Sequence, residues 1–362
     1  EAAKAAYIGD GDTALRLLWQ CFEMLREARE RFYPVECFLL DLCLVVPQLA
    51  GQPLATLLRD DTPFNALATA ADWEQISAAD PELQTLIRSR CAAGSLNLVG
   101  GESAERCTPL LPLDLVADEL RRGRATFSRL FEHVPTTWGR RRYGVTPLIP
   151  QLLQKANYAG SLHFVIDDGI YPDEESAKLV WRGCDTSSIP SYSRIPLAGD
   201  SAGAFLRFPV RMAESMDRDH VAGLVFARWA ELKTPWLEDF RRAHRYAPAL
   251  GKFVTFDKFF SETNLDHRTS EFREGVYLSP FLVQAVARRE QGPISRYVDF
   301  HRRRRRLEAA DWCTAMGAML AGRPIDGESS EQLETALLAS GPDPLPADAP
   351  APEPVDPRLE AA

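Results

Sequence analysis

Two kinds of apolar pattern take turns along the chain. Residues 12–32, DTALRLLWQCFEMLREARERF, carry apolar side chains at three- and four-residue spacing, which predicts an amphipathic helix. Residues 35–46, VECFLLDLCLVV, are apolar almost without a break, as in a parallel strand buried on both faces. PLATLLRD then predicts a short helix and FNALATA a strand. Residues 72–94 predict one or two helices with a break at Pro81, and SLNLVGG (95–101) a strand ending in Gly-Gly. A long helix follows from Pro112, with Asp114 in its first turn. TTWGRRRYG (136–144) predicts a strand, TPLIPQLLQKANYAG a helix stopped at Gly160, and SLHFVI (161–166), VAGLVFARWAE (221–231) and FVTFDKFF (253–260) three more strands.

This alternation over residues 1–265 predicts a parallel sheet, open or closed into a barrel. It fails between 167 and 200, a long excursion with short strands of its own. From about 270 to 325 helices follow one another without strands, which predicts a small helical domain. Residues 326–362 hold one weak helix and then a stretch rich in Pro, Ala and acid that is expected to be disordered.

Composition narrows the classes of function. No apolar run approaches the roughly 18 residues of a membrane span, and a net charge of −9 opposes a nucleic-acid surface. Seven scattered cysteines with no C-x-x-C fit reduced thiols in a cytoplasmic protein. The arginine run 301–306 points around more than one face of a helix, with Glu308 and Asp311 close behind, so it reads as solvated or self-paired. GDGD (9–12) lacks the Lys-Ser/Thr of a phosphate loop.

Parallel barrels place their chemistry at the C-terminal strand ends, and four such ends are polar. They carry Glu102 and Glu105; Trp138, Arg140, Arg141, Arg142 and Tyr143; His163, Asp167 and Asp168; and Arg228, Trp229 and Glu231. Paired carboxylates with arginines and aromatic faces suit carbohydrate chemistry, in which two carboxyl groups flank the scissile bond. Asp167, Asp168, Glu102 and Glu105 are therefore the catalytic candidates, and Arg141, Arg142, Trp138, Tyr143 and Trp229 the substrate-binding ones. Each has a plainer alternative. Asp167-Asp168-Gly169 makes a good turn, Glu102 and Glu105 suit a first helical turn, and the arginines suit ion pairs with these same carboxylates. His163 lacks a partner at metal-ligand spacing and reads as a core histidine.

Several of these segments together resemble the catalytic region of the α-mannosidases of glycoside hydrolase family 38, in the wider seven-stranded glycoside hydrolase/deacetylase barrel group. KLVWRGCDTSSI (178–189) is similar to the family's W-x-G-x-D-G-S-x-I segment, with Trp181, Gly183, Asp185, Ser187 and Ile189 in place and Thr186 where the family has Gly. VGGESAE, PTTWGRRRYGVTPLIPQLL and EFREGVYLSPFLVQAVARRE resemble three further segments. The resemblance implies an incomplete seven-stranded-type parallel β/α barrel followed by a helical bundle, an α-mannosidase-like activity on a carbohydrate partner, and Asp185 as a sugar contact. It also puts Arg141 at the position of the family's metal-binding Asp nucleophile and Val145 at that of its His. The family's H-x-D pair would lie upstream of Glu1, so the chain reads as N-terminally truncated or divergent. No cofactor is expected in the chain as it stands, and zinc only with such an upstream motif. A non-catalytic glycan-binding or structural relative is the alternative. The oligomeric state stays open.

Overall fold

A computed structural model describes residues 1–32, 36–142, 144–164, 166–167, 174–219, 221–231, 235–243, 251–264, 268–271, 273, 275, 281–324 and 327–339. The chain divides into two compact units, Glu1–Leu278 and Ser279–Ala362.

The first unit opens with α1 (Ala2–Tyr7) and α2 (Gly11–Phe32), then alternates. In order come β1 (Cys37–Leu44), α3 (Gln52–Leu58), β2 (Phe64–Leu67), α4 (Ala70–Ala79), α5 (Pro81–Ala92), β3 (Leu96–Val99), α6 (Leu113–Phe131), β4 (Thr137–Trp138), α7 (Ile149–Lys155) and β5 (Gly160–Leu162). The excursion holds β6 (Leu179–Arg182), β7 (Ser188–Tyr192) and β8 (Leu197–Ala198). Then come α8 (Ala202–Arg218), β9 (Ala222–Trp229), α9 (Pro235–Ala243), β10 (Lys252–Phe253), α10 (Phe256–Glu262) and β11 (Thr269–Glu271). Local chemistry sets several of these boundaries. The break at Pro81 is a double cap: Asp80 closes α4, and its carboxylate accepts the Leu83 N–H at 2.9 Å to open α5.

The sheet runs β11-β6-β7-β5-β4-β3-β2-β1-β9-β8, with β10 also paired to β1. It is parallel except for β6 and β7, and among the described residues it does not close. Where β7 and β9 approach, the Tyr192 hydroxyl donates to Gly223 O at 3.0 Å. The continuous apolar run of β1 follows from burial on both faces. Phe38, Leu40, Leu42 and Leu44 point into the barrel with Leu67, Val99, Leu162, Tyr192 and Val225. Cys37, Leu39 and Cys43 point outward against the helices.

Three features depart from the sequence expectation. FVTFDKFF is strand only at Phe253; from Phe256 it is helix α10. Phe256, Phe259 and Phe260 fall at i, i+3 and i+4 and all join the barrel interior, so a helical stripe fills that end of the core. Residues 202–218, given no element by the apolar pattern, form α8 around an internal Pro209. Strand pairing runs past 265, because β11 pairs with β6.

The second unit contains α11 (Phe281–Ala287), α12 (Ser295–Ala321) and α13 (Gly327–Ala339). Its arginine run is partly self-paired: Arg302 meets Asp299 at 3.3 Å, and Arg304 meets Glu308 at 3.1 Å and Glu334 at 3.7 Å. The tail 341–362, expected to be disordered, lies outside the described residues.

Candidate functional site

The β3 end and the β4 end together build the barrel mouth. β3 runs into Gly100-Gly101, both at positive φ, and then Glu102. Helix α6 crosses close to this loop: a Cβ at Gly123 would sit on the backbone of Gly101–Ser103. From α6, Glu119 holds the loop through the Ala104 N–H at 3.1 Å and Arg106 Nε at 3.1 Å.

β4 ends at Trp138, so the three arginines lie in the loop after it and strand alternation does not govern them. Their exposure rises stepwise. Arg140 is buried, with Nε 2.9 Å from Glu102 Oε2 and its outer nitrogens donating to the carbonyls of Arg106 and Gly144. Arg141 is partly buried. Its guanidinium carbon lies 5.8 Å from the centre of the Trp229 ring, at the end of β9, and its Nε 3.9 Å from Asp167 Oδ2. Arg142 is exposed, and its backbone N–H, not its side chain, meets Glu105 at 3.2 Å.

Glu105 and Asp167 grip the backbone of Arg141 from two directions. Glu105 Oε1 accepts the Arg141 N–H at 2.8 Å, and the Arg141 carbonyl accepts the Asp167 N–H at 2.8 Å. Of the four carboxylates proposed from sequence, three therefore converge around Arg140–Arg142, and the fourth, Asp168, lies outside the described residues, as does Tyr143. Glu102 is fully buried, and burial pushes its carboxyl up to about 7 despite the pull of Arg140; Glu105 and Glu119 push in the same direction as burial.

Two proposed sugar contacts stand elsewhere. Trp138 is fully buried in a core cluster, its ring 5.9 Å from that of Trp181, which leaves no face for a sugar. Asp185 sits in the tight turn of the β6–β7 hairpin, where its carboxylate accepts the Ser187 N–H at 3.2 Å and hydroxyl at 2.6 Å. The segment carrying the family resemblance is thus a hairpin, with Thr186 at φ 70° where glycine is the easier residue. His163 is a core residue stacked on Trp181 at 4.7 Å, and burial pushes its imidazole down to about 3, which keeps it neutral.

Among the described residues no three His, Cys, Asp or Glu side chains come together as ligands. The strand end in question carries the fixed positive charge of Arg141, which repels a cation.

Sequence reasoning missed a second cluster, on the outer face of the sheet. Asp41, the lone carboxylate in β1, points away from the barrel interior and is fully buried. Arg228 grips it with two hydrogen bonds, Nε to Oδ1 at 2.9 Å and Nη2 to Oδ2 at 2.7 Å, and Arg241 from α9 adds a third at 2.6 Å. Burial alone would raise the Asp41 carboxyl; the two guanidiniums overturn that and hold it below the usual range. A single acid inside an otherwise apolar strand was the available signal, since such a group needs a buried partner.

No family model matches the sequence, and no curated protein does. Solved structures do share the fold. A protein of glycosyl hydrolase family 38 from Enterococcus faecalis aligns over 84% of this chain and 35% of its own, with a TM-score of 0.56 at 14% identity. An α-mannosidase from the same organism aligns over 85% and 38%, at 0.57 and 13%. A family 57 branching enzyme from Thermococcus kodakaraensis aligns over 85% and 84%, at 0.51 and 11%. The fold is an incomplete β/α barrel of the kind these glycosidase groups share. The likeness spans families 38 and 57 and does not single out either. The chain spans little more than a third of the length of the two family 38-type structures. Among the described residues no helix is long and apolar enough to cross a membrane.

Proposed function

We propose that this chain is a carbohydrate-active protein that binds a saccharide at the barrel mouth, and that it does so without a metal, using Arg141 as the fixed cation. The observation that carries this is the placement of Arg141 between the Trp229 ring and the Asp167 carboxylate, at the strand ends where barrels of this kind keep their sites. The ring and the carboxylate flank the guanidinium, whose N–H groups can donate to sugar oxygens. Asp167 supplies the matching acceptor for a hydroxyl.

Binding is favoured over hydrolysis because two of the candidate carboxylates, Glu102 and Glu105, are already engaged. Glu102 lies beneath Arg140, and Glu105 is held by two backbone N–H groups. A glycosidase needs one carboxyl free to donate a proton and another free to attack or to activate water. Titration calorimetry with neutral and uronic-acid oligosaccharides tests the reading. Saturable binding is expected, weakened at least tenfold by Arg141→Ala and by Asp167→Asn, with no turnover of aryl glycosides. Aryl-glycoside hydrolysis that is lost in Asp167→Asn would replace this reading with a hydrolytic one. Binding indifferent to both substitutions would end it.

A further inference from the structure

On the outer face of the first unit, α3 and α9 leave a cavity of about 490 Å³ above the end of β9. Thr56 and Leu57 line one wall, Pro235 and Glu238 the other, and Arg228 and Ala230 the floor. The cavity is separate from the barrel mouth, since Arg228 points outward from β9 while its neighbour Trp229 packs against the barrel interior. This cavity keeps its lining whatever the mouth binds.

The Arg228 side chain is 2% exposed. Its two bonds to Asp41 use Nε and Nη2, so Nη1 faces the other way, and among the described residues nothing accepts a hydrogen bond from it. Glu238 Oε1 stands 3.9 Å from Nη1, beyond hydrogen-bond reach. The pattern repeats one residue deeper: Arg241 Nη2 is 3.8 Å from Asp60 Oδ2, and Nη2 and Nε of Arg241 are buried without a hydrogen-bond partner among the described residues. Arg228 Nη1, at the floor of the cavity, is the donor that a ligand there can reach, and an accepting oxygen would complete its hydrogen bonding.

The gap selects the chemistry. An oxygen about 2.8 Å from both Nη1 and Oε1 fits across 3.9 Å if it accepts from the first and donates to the second. A hydroxyl does both. A carboxylate or phosphate only accepts; it would face Glu238 and Asp60 along the same cavity, while Arg242 there is already paired with Asp239 at 3.0 Å. An ammonium only donates and would face Arg228. The apolar side chains of Leu57, Ala230 and Pro235 suit the C–H face of a ring. We propose that this cavity binds a small neutral polyhydroxylated ligand, the size of a mono- or disaccharide, through a hydroxyl shared between Arg228 and Glu238.

The test is run on the Arg141→Ala chain, in which binding at the barrel mouth is weakened. Ligand-observed saturation-transfer NMR and calorimetry are carried out with glycerol, D-glucose, D-mannose and maltose, and with sodium acetate as the anion. At least one polyol is expected to bind. Thr56→Trp, which fills the cavity from an exposed position, is expected to weaken that binding at least tenfold while the melting temperature holds. Glu238→Ala is expected to weaken it severalfold. Failure of all four polyols to bind, binding unchanged by Thr56→Trp, or acetate binding more tightly than any polyol would each overturn the proposal. None of these outcomes bears on the mouth, whose binding is read in the chain that keeps Arg141.

Discussion

The barrel mouth and its outer flank each bury a carboxylate against arginine, with opposite outcomes. At the mouth Glu102 meets one arginine, has Glu105 and Glu119 nearby, and is driven up to about 7 by burial. On the flank Asp41 is equally buried but meets two arginines with three hydrogen bonds, and its carboxyl is held low. Burial penalises both charges. What decides the sign is whether enough fixed donors reach the carboxylate to replace the water it lost. Burial therefore shifts the mouth carboxyl towards its neutral form, engaged though it is beneath Arg140, while the flank holds charges that cannot be neutralised, because arginine does not deprotonate.

The largest expected effect comes from the flank. Asp41→Ala leaves Arg228 and Arg241 buried without their bonded counter-charge, and stability should fall by about 3–5 kcal/mol in urea unfolding. A loss under about 1 kcal/mol would mean that water entering the cavity hydrates the arginines, and the contrast would dissolve.

The next effect is a pH dependence at the mouth. The native state holds the Glu102 proton more tightly than the unfolded chain does. Its contribution to stability is therefore complete below pH 4.5 and is lost as pH rises to about 7. The shift corresponds to something on the order of 3 kcal/mol. Glu102→Gln should remove this slope, gaining on the wild type between pH 5 and pH 8 when the two are compared by denaturant titration. Parallel profiles would show that Glu102 is ionised throughout. Asp41 acts in the opposite direction: its contribution is present above the ordinary carboxylate range and is lost on acidification.

Smaller again is Arg140→Met, at about 1–3 kcal/mol. Glu102 escapes its loss by keeping its proton, whereas the flank arginines have no such escape. A cost equal to that of Asp41→Ala would show the two clusters to be alike. Smallest is Arg141→Ala. Its pair with Asp167 spans 3.9 Å, with side chains 17% and 31% exposed, so no more than about 1 kcal/mol of stability is expected to go. The loss should appear in saccharide binding, and a thermal melt beside the calorimetry separates the two.

How much of this was legible in the sequence depended on distance along the chain. The β1 run and the Asp80-Pro81 break were readable because their causes lie within a few residues. FVTFDKFF was misread because a short aromatic run suits either a strand or a helix. Its helix is completed by Asn65, 191 residues away in the chain, whose Oδ1 accepts the Phe256 N–H. At the candidate site, the polar strand ends named loops that the fold brings together, but not what each side chain in them packs against. Trp138 looked like a sugar platform and is core; Asp185 looked like a ligand contact and holds its own turn.

By itself the sequence determined the alternation of strand and helix, hence a mostly parallel sheet covered by helices, since apolar periodicity is a local property that survives in any fold that buries it. Only the tertiary structure decided which of Arg140, Arg141 and Arg142 is locked, which is held at the mouth and which is exposed. It alone decided that Asp41 would meet Arg228 and Arg241, 187 and 200 residues away. The physical reason is that a charged group's state is set by the water it loses and the partners it gains, and both come from segments that are neighbours only once the chain has folded.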